Sequence, residues 1–410
     1  MEKKIEQYDV VIIGGGAAGL TAAIYCGRAR LKTLVIEKAL VGGLATYTNE
    51  IENYPGFPEG STGLGLMDLF HKQAKKFGVK FKLTDVRGVQ LEGDVKTVET
   101  FRTNYQCKSV IVASGGKPRL TGAPNEDKFL YDKGISFCAT CDAAANTDKT
   151  VIVIGSGDAA IEEGMFLTKF ASKVIVSVMH EEGKMDCNEI AKEEALANPK
   201  MEFIWNTTVA EFRGDDEHLR SVALKDTRTG EIMDVPADTC FLFIGYVPNT
   251  EIFKGILDMT RPGYVITNEK METNIPGVFA CGNVLHVHDL VDFVSEEAAA
   301  AGKNAARYVL EAADMDSAEK EVPIVPTGGV RYTVPSHIRI DKMEEQLKVR
   351  FRVGAVYSGC YVSVYLDEER IIHRKRPVMA PGEMEEILLK RQQLQEHEGL
   401  AQITVKIEEA

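Results

Sequence analysis

The run Asp9-Val-Val-Ile-Ile-Gly-Gly-Gly-Ala-Ala-Gly19 predicts a buried strand that turns directly into a helix. Its glycines form the pattern G-x-G-x-x-G, and a helical stretch over residues 20–29 and an apolar strand over residues 33–37 follow it. Glycine at such a turn lets the backbone approach a pyrophosphate, which the free N–H groups at the start of the helix then bind. Glu37 ends the second strand, where a carboxylate accepts a hydrogen bond from a ribose 2′-hydroxyl. This first fingerprint therefore predicts a dinucleotide-binding βαβ unit.

A second fingerprint, Gly155-Ser-Gly-Asp-Ala-Ala160, has the same setting, with a helix expected over residues 159–170 and a strand over residues 173–179. The segment after that strand, His180-Glu-Glu-Gly-Lys-Met-Asp186, contains acids where a 2′-phosphate would require arginines. The sequence therefore argues against NADPH and leaves open either NADH or a groove that binds nothing. The residues expected to contact a second nucleotide are Gly155, Gly157, Asp158, Ala159, Ala160 and Glu181.

Two cysteines separated by two residues, in Cys138-Ala-Thr-Cys-Asp142, lie just before the second fingerprint. The spacing alone fits a redox pair, half of a zinc site or two unrelated thiols. The position between two dinucleotide-binding units favours the redox pair, because flavin chemistry supplies the electrons that such a disulfide needs. No second C-x-x-C or nearby Cys/His pair completes a zinc site, so no metal is expected.

Composition excludes several classes of function. The 410 residues are enough for two or three domains, and 44% hydrophobic with 27% charged residues is ordinary for a soluble protein. A formal net charge of −13 argues against a nucleic-acid or anionic-membrane partner. No apolar run approaches the roughly 18 residues of a membrane span. Eight scattered cysteines with a single close pair do not form a secreted disulfide framework, so the cytoplasm is expected.

The composition changes after residue 313. Residues 316–329 contain the proline and glycine of a linker, and residues 330–410 alternate mainly as strands, which predicts a small β-rich C-terminal domain. A helix is expected over residues 381–397, although Met384 to Leu389 also fits an edge strand. The basic run His373-Arg-Lys-Arg376 is interpreted as a solvated turn rather than a docking patch.

Over roughly residues 8–310 the chain resembles the low-molecular-weight thioredoxin reductases. The motifs that carry the resemblance are Ile12-Ile-Gly-Gly-Gly-Ala-Ala-Gly-Leu-Thr-Ala-Ala-Ile-Tyr25, Glu50-Ile-Glu-Asn-Tyr-Pro-Gly56, Cys138-Ala-Thr-Cys-Asp142, Phe243-Ile-Gly-Tyr-Val-Pro-Asn-Thr250 and Ile275-Pro-Gly-Val-Phe-Ala-Cys-Gly282. The resemblance implies an α/β fold with two Rossmann-like, three-layer ββα domains. The FAD-binding domain (residues 1–118 and 243–315) would be interrupted by the nucleotide domain (residues 119–242). A homodimer is also implied.

The same resemblance implies the roles of single residues. Cys141 would face the flavin, Cys138 would attack the disulfide of thioredoxin or a thioredoxin-like partner, and Asp142 would serve the accompanying proton transfers. The electron donor would be NADH or a protein carrier such as ferredoxin. The implied FAD-binding residues are Gly14, Gly16, Ala17, Ala18, Gly19, Glu37, Lys38, Gly43, Leu44, Asn53, Ala113, Ser114, Gly115, Gly282, Asn283, Leu290 and Val291.

The sequence departs from the family pattern in four places. Glu181 and Glu182 replace paired arginines, Leu44 replaces a glutamine, Asn283 replaces an aspartate, and the closing Arg-Gln-Ala is absent. The stretch Gly282-Asn-Val-Leu-His-Val-His-Asp-Leu-Val-Asp-Phe-Val-Ser-Glu-Glu297 and the C-terminal region instead resemble FAD-dependent oxidoreductases that accompany anaerobic glycerol-3-phosphate dehydrogenases.

In this stretch His286 and His288 are expected to touch flavin or solvent, since their i, i+2 spacing does not suit helical metal ligands. The sequence thus predicts a flavin-dependent disulfide oxidoreductase. Two alternatives stay open at this point. One is a flavoprotein subunit of a metabolic dehydrogenase complex. The other is a regulator in which the cysteine pair only senses the redox state of the cell.

Overall fold

The first unit is built on a five-stranded, fully parallel sheet. The computed structural model describes residues 3–47, 51, 54–58, 60–130, 133–288, 290–311 and 321–408. From one edge to the other, the strands are Val278–Ala280, Ser109–Val112, Val10–Ile13, Thr33–Glu37 and Lys80–Leu83. Strand Val10–Ile13 is buried along its whole length because both faces of the sheet are covered. On one face lie the helices Ala17–Arg28 and Val291–Leu310, and Gly63–Lys76 packs against the first of them.

A small four-stranded sheet adds the third layer of the first unit. Its strands, in order, are Lys4–Gln7, Thr103–Cys107, Lys96–Thr100 and Val86–Gln90. Val98, Tyr105 and Cys107 are buried in the same apolar core as the parallel sheet. The last three of these strands pair antiparallel, whereas the preceding strand Lys80–Leu83 joins the parallel sheet.

The second unit repeats the three-layer plan. Its parallel sheet has the order Ile135–Ser136, Thr239–Leu242, Thr150–Ile154, Lys173–Ser177 and Met201–Ile204. Val151 and Val153 pack with the helical layer, whereas Ile152 and Ile154 pack toward an antiparallel sheet. This alternation follows from the two-residue period of a strand that is buried on both faces. The helices are Asp158–Leu167 and Glu189–Ala197, and the antiparallel strands are Thr207–Gly214, Leu219–Asp226 and Ile232–Pro236.

The chain leaves and re-enters the first unit at one place. Strand Gly116–Pro118 pairs antiparallel with Tyr246–Pro248, so the outgoing and returning segments run side by side. The second unit is therefore inserted into the first, which confirms the predicted fold class. Short helices, Glu126–Phe129 and Ala139–Asp142, lie early in the inserted segment.

The C-terminal region is mainly β. One sheet contains His337–Ile338, Val322–Thr327, Ile403–Glu408, Tyr357–Leu366 and Glu369–Met379, and the other contains Val330–Val334, Gln346–Val353 and Glu385–Lys390. Their inward side chains share one apolar core that includes Phe351, Val364 and Val405. These sheets confirm the predicted mainly-β region.

Three local expectations for this region need correction. Val322–Thr327 is a strand rather than linker, in which Val322 and Ile324 are buried, whereas Pro323 is exposed and Pro326 is half-buried. Of the helix expected over residues 381–397, only Arg391–Gln395 is helical, and Glu385–Lys390 is an edge strand, which confirms the alternative given for Met384 to Leu389. The basic run at residues 373–376 lies within the edge strand Glu369–Met379 and not in a turn.

Ion pairs attach the C-terminal sheets to the first unit. Lys348 and Arg350 both pair with Glu296 on the long helix Val291–Leu310. Arg339 pairs with Glu269, whose side chain is 1% exposed, at an N–O distance of 3.1 Å. The C-terminal region is thus packed against the helix that closes the first unit.

Candidate active site

Cys138 and Cys141 form a disulfide, with their Cα atoms 5.3 Å apart. Cys138 is the N-cap of the single-turn helix Ala139–Asp142, and the backbone N–H of Cys141 donates to Cys138 Sγ at 3.1 Å. A hydrogen bond of this kind stabilises negative charge on the sulfur after reduction. Cys138 is therefore the better placed of the two to be the exchanging thiolate.

The redox pair is anchored in the second unit. Ala139 and Ala143 pack in one apolar core with Ala160 and Ile161 of the second-fingerprint helix. This places the disulfide beside that helix, with Cys141 exposed and Cys138 half-buried. Asp142 ends the short helix and is half-buried, and its carbonyl accepts from Asn146 Nδ2 at 2.8 Å. The remaining six cysteines are all buried, in agreement with a packing role.

The first fingerprint forms an open cradle. Gly14 has φ of +109°, and a Cβ there would lie 2.1 Å from the carbonyl oxygen of Ala113, so only glycine fits. At Gly16, by contrast, the nearest atom to an added Cβ is 3.8 Å away. The carboxylate of Glu37 accepts from the N–H groups of Gly15 and Ala39, at 2.8 and 2.9 Å. The turn is therefore closely packed at Gly14, free beside Gly16, and flanked by the fixed carboxylate of Glu37. A dinucleotide requires this arrangement.

Other residues implied for the first nucleotide gather around this cradle. Gly42 forms a bridge with Gly16, which brings Gly43 and Leu44 beside the turn. Ser114 Oγ donates to the carbonyl oxygen of Asn249 at 2.7 Å, and Asn249 Nδ2 donates to the carbonyl oxygen of Ser114 at 3.0 Å. The residues brought to this edge of the sheet by these contacts and by strand ends are Ala17, Ala18, Gly19, Lys38, Ala113, Gly115 and Gly282.

The segment that joins the last parallel strand to the long helix completes this edge. Asn283 Oδ1 accepts from the backbone N–H of His288 at 3.2 Å. Leu290 caps the long helix, and Val291 is its first residue. Asn53, also implied by the resemblance, lies outside the described residues.

His286, His288 and Glu297 form a buried cluster that the sequence did not predict. Glu297 accepts three N–H bonds: from Gly282 N at 2.6 Å, His286 Nε2 at 3.0 Å and His288 Nε2 at 3.2 Å. The side chains are at most 2% exposed, so the expectation that the histidines touch solvent is wrong. The candidate ligand atoms lie within 4.8 Å of one another, a grouping compatible with a metal ion. The three N–H donors nevertheless satisfy the carboxylate without one.

Electrostatics favour a neutral His286 beside an anionic Glu297. Burial and the neighbouring His288 lower the pKa of His286 to about 4. Burial alone would raise the pKa of Glu297, but His288 and His286 and their hydrogen bonds hold it well below its ordinary value. In the sequence, Glu297 stands out only because it is a charged residue on the helix face that also carries the buried Ala298, Ala301 and Ala305.

The second fingerprint has the same backbone plan as the first. A Cβ added at Gly155 would lie 2.3 Å from the carbonyl oxygen of Phe243, whereas the space beside Gly157 is open to 4 Å. Glu181 is exposed and pairs with Lys184. His180 Nε2 and Asp186 Oδ2 are 2.9 Å apart. These acids occupy the loop after the second strand, as predicted.

Glu163, on the second-fingerprint helix, is a half-buried acid that the sequence did not single out. Burial raises the pKa of Glu163 to about 7, and the neighbouring charge of Glu162 adds to the effect. Its Oε2 atom is buried and has no hydrogen-bond partner among the described residues. Glu163 also lies close enough to Tyr246, on the returning strand, to raise the pKa of that phenol.

Replacing Glu163 by Gln should change how stability depends on pH. In the unfolded chain the carboxyl titrates near 4.5 and in the folded chain near 7, so the folded state binds more protons between these values. Stability must therefore fall as pH rises through this window, and the neutral amide removes the loss. We expect the variant to be more stable by about 1–2 kcal/mol at pH 8 and unchanged at pH 4.5. Urea unfolding between pH 4.5 and pH 8 measures this difference in stability between the variant and the wild type. The control is Glu193→Gln, at an exposed acid, which should not change the stability in this way.

Comparison with known proteins agrees with the geometry. Residues 8–305 match the family model described as pyridine nucleotide-disulphide oxidoreductase. A thioredoxin reductase of Peptoclostridium acidaminophilum is 40% identical over 310 residues, covering 74% of this chain and 97% of that protein. One from Streptomyces coelicolor is 40% identical over 317 residues, covering 76% and 97%.

Solved structures give the same result. The crystal structure of Lactococcus lactis thioredoxin reductase in the FR conformation matches with a TM-score of 0.70 and 35% identity, covering 74% of this chain and 99% of that one. That of the T. acidophilum thioredoxin reductase matches with a TM-score of 0.67 and 27% identity, covering 73% and 98%. The family model ends at residue 305, so the C-terminal sheets lie beyond it.

Proposed function

We propose an electron route for this chain, which belongs to the pyridine nucleotide-disulphide oxidoreductase family and, within it, to the thioredoxin reductases. In this route the first fingerprint holds FAD, the Cys138–Cys141 disulfide receives electrons from it, and a thioredoxin or thioredoxin-like protein is the acceptor. The proposal depends on one arrangement. The disulfide lies beside the helix of the second fingerprint, and the first unit has a free space beside Gly16 for a dinucleotide.

The residues of the first cradle fit FAD. The open front of Gly16 leaves room for the pyrophosphate, and the fixed Glu37 carboxylate is placed to accept from a ribose hydroxyl. Asn283 lies at the same edge, where its side-chain amide can hydrogen-bond a ribityl hydroxyl. When bound, FAD supplies the two electrons that reduce the disulfide.

The two sulfurs then divide the exchange with the acceptor. The Cys138 thiolate, stabilised by the Cys141 N–H, attacks the acceptor disulfide and forms a mixed disulfide while one acceptor thiolate leaves. The Cys141 thiolate then attacks Cys138 Sγ, which restores the internal disulfide and releases the second acceptor thiolate. Asp142 is proposed to relay the protons that these thiolates gain and lose.

We also propose the electron donor, the cellular location and the oligomeric state. Glu181, Glu182 and Asp186 disfavour a 2′-phosphate, so of the two nicotinamide nucleotides NADH is favoured over NADPH. A protein carrier is the other donor compatible with these acids. Among the described residues no helix is both long and apolar enough to cross a bilayer. We propose a cytoplasmic homodimer, as the family resemblance implies.

The test of this route is an anaerobic reductive titration of the FAD-loaded protein with dithionite. The wild type should take up two electrons for the flavin and two more for the disulfide, whereas the Cys138→Ser/Cys141→Ser double variant should take up only the first two. Equal uptake by both proteins would contradict the route. It would favour a flavoprotein subunit that passes electrons elsewhere, without using the cysteine pair.

A further inference from the structure

A turn of the C-terminal region, residues 381–383, lies against the second fingerprint. We call it the closing turn. A Cβ built on Gly382 would be 2.2 Å from Oδ2 of Asp158 and 3.3 Å from the carbonyl oxygen of Asp186. Asp158 is the first residue of the second-fingerprint helix, and Asp186 belongs to the loop after the second strand. The closing turn therefore enters the groove between these two elements.

This groove is where a dinucleotide would lie. In a βαβ unit of this kind the pyrophosphate sits at the start of the helix, and the ribose of the adenosine reaches the end of the second strand. Asp158 stands at the start of the helix, and Asp186 lies beside the glycine turn, where its backbone N–H donates to the carbonyl oxygen of Ser156 at 3.0 Å. The closing turn and a nicotinamide nucleotide thus compete for the same space, and a Cβ at position 382 would overlap the Asp158 carboxylate.

Arg352, on strand Gln346–Val353 of the same C-terminal region, links the closing turn to the first unit. Arg352 is 8% exposed, and its Nη1 donates to the carbonyl oxygens of Pro381 and Gly382. Its Nη2 donates to the carbonyl oxygen of Val287 at 3.1 Å, in the segment between Asn283 and the long helix. One guanidinium therefore fastens the turn to the edge of the proposed FAD site while the turn contacts the second unit.

Charge opposes a nucleotide in the same groove. Burial raises the pKa of Glu383, and the nearby Asp158 and Glu385 carboxylates add to the effect. A pyrophosphate that approached the groove with the turn in place would meet the carboxylates of Asp158 and Glu383, and like charges at close range are destabilising. Both shape and charge therefore favour the peptide turn over a phosphate.

We propose that the closing turn, held by Arg352, is the occupant of the second nucleotide groove and excludes nicotinamide nucleotides from it. This inference rests on the proposed function, because it concerns how electrons reach the same flavin and disulfide. In the closed arrangement the donor is a reduced electron-carrier protein, which is oxidised as two electrons and the accompanying protons pass to FAD. Gly382, Asp158 and Glu383 are then residues that determine donor specificity.

The test opens the groove with one added methyl group. Gly382→Ala places its Cβ against Oδ2 of Asp158, whose Oδ1 is held by two hydrogen bonds from Asn188, so the turn is expected to shift. The change adds no backbone strain, because Gly382 does not have a positive φ. The matched control is Gly354→Ala in the same region, where the nearest atom is an ordinary 3.5 Å away. Arg352→Ala provides a second route, since it releases the carbonyls of the turn without altering the groove.

Two readouts follow: NADH binding by calorimetry, and the rate of flavin bleaching by NADH under anaerobic conditions. We expect wild type and Gly354→Ala to respond weakly, and Gly382→Ala or Arg352→Ala to bind NADH and bleach at least about tenfold better. Equal responses by wild type and the opened variants would overturn the proposal, as would a failure of both opened variants to bind NADH. Transfer from dithionite-reduced protein to oxidised thioredoxin needs no nucleotide, so it tests the proposed function separately.

Discussion

Replacing Cys138 by Ser should abolish the reduction of thioredoxin, lowering the rate by about 10³-fold or more, while FAD stays bound and reducible. The physical reason is that the thiolate, and not the neutral thiol or a hydroxyl, is the nucleophile in disulfide exchange. Cys138 is also the sulfur that receives the N–H bond from Cys141 at 3.1 Å. The measurement is the rate of dithiol formation in oxidised thioredoxin after anaerobic reduction of the protein with dithionite.

The matched variant is Cys141→Ser, which keeps the attacking sulfur and removes the resolving one. After reduction it should form a mixed disulfide with thioredoxin, seen by mass spectrometry as a covalent adduct of one thioredoxin that dithiothreitol releases. Cys138→Ser should form much less of it. If the two variants form adducts in the reverse proportion, the roles of the two cysteines are exchanged.

Replacing Glu297 by Ala should cost about 3–5 kcal/mol of unfolding free energy. The change leaves three buried N–H donors, those of Gly282, His286 and His288, without their acceptor, and it also opens a cavity. The variant should also retain FAD poorly, because Gly282 and the adjoining Asn283 belong to the proposed FAD site. Urea unfolding followed by circular dichroism and by flavin fluorescence measures both effects.

The control for this prediction is Asp292→Ala, in the first turn of the same helix. Within the described part of the chain, Asp292 accepts a hydrogen bond only from the backbone N–H of the adjacent Phe293, so its loss should cost no more than about 1 kcal/mol. Glu297→Gln should be intermediate, since an amide keeps one acceptor oxygen and turns a donor toward an imidazole N–H. Equal stability of the Glu297→Ala and wild-type proteins would show that the cluster contributes no net stability.

Local patterns were sufficient to predict the elements that surround the two fingerprints. A strand, a glycine turn, a helix and a second strand are specified by residues that follow one another in the chain, as in Val10–Ile13, Gly14, Ala17–Arg28 and Thr33–Glu37. The same holds for the cysteine pair, which a single helical turn brings together. Such contacts are decided within short stretches, where periodicity and glycine are informative.

Contacts between distant segments could not be predicted in this way. Glu297 meets His286 and His288 only because the long helix folds back beside the last parallel strand, and Gly382 meets Asp158 only because the C-terminal sheets pack across both units. The prediction for the basic run at residues 373–376 was wrong for a related reason. Its charge suggested a turn, but an edge strand with one solvated face accepts the same residues.

The most direct test of the central claim is a single turnover with oxidised thioredoxin. The wild-type, FAD-loaded protein is reduced with dithionite, freed of excess reductant under anaerobic conditions and mixed with oxidised thioredoxin. The account predicts that each reduced Cys138–Cys141 pair reduces one thioredoxin disulfide and returns to its oxidised state. If the pair is reduced and thioredoxin nevertheless stays oxidised, the electrons leave this protein by another route and the proposed function is wrong.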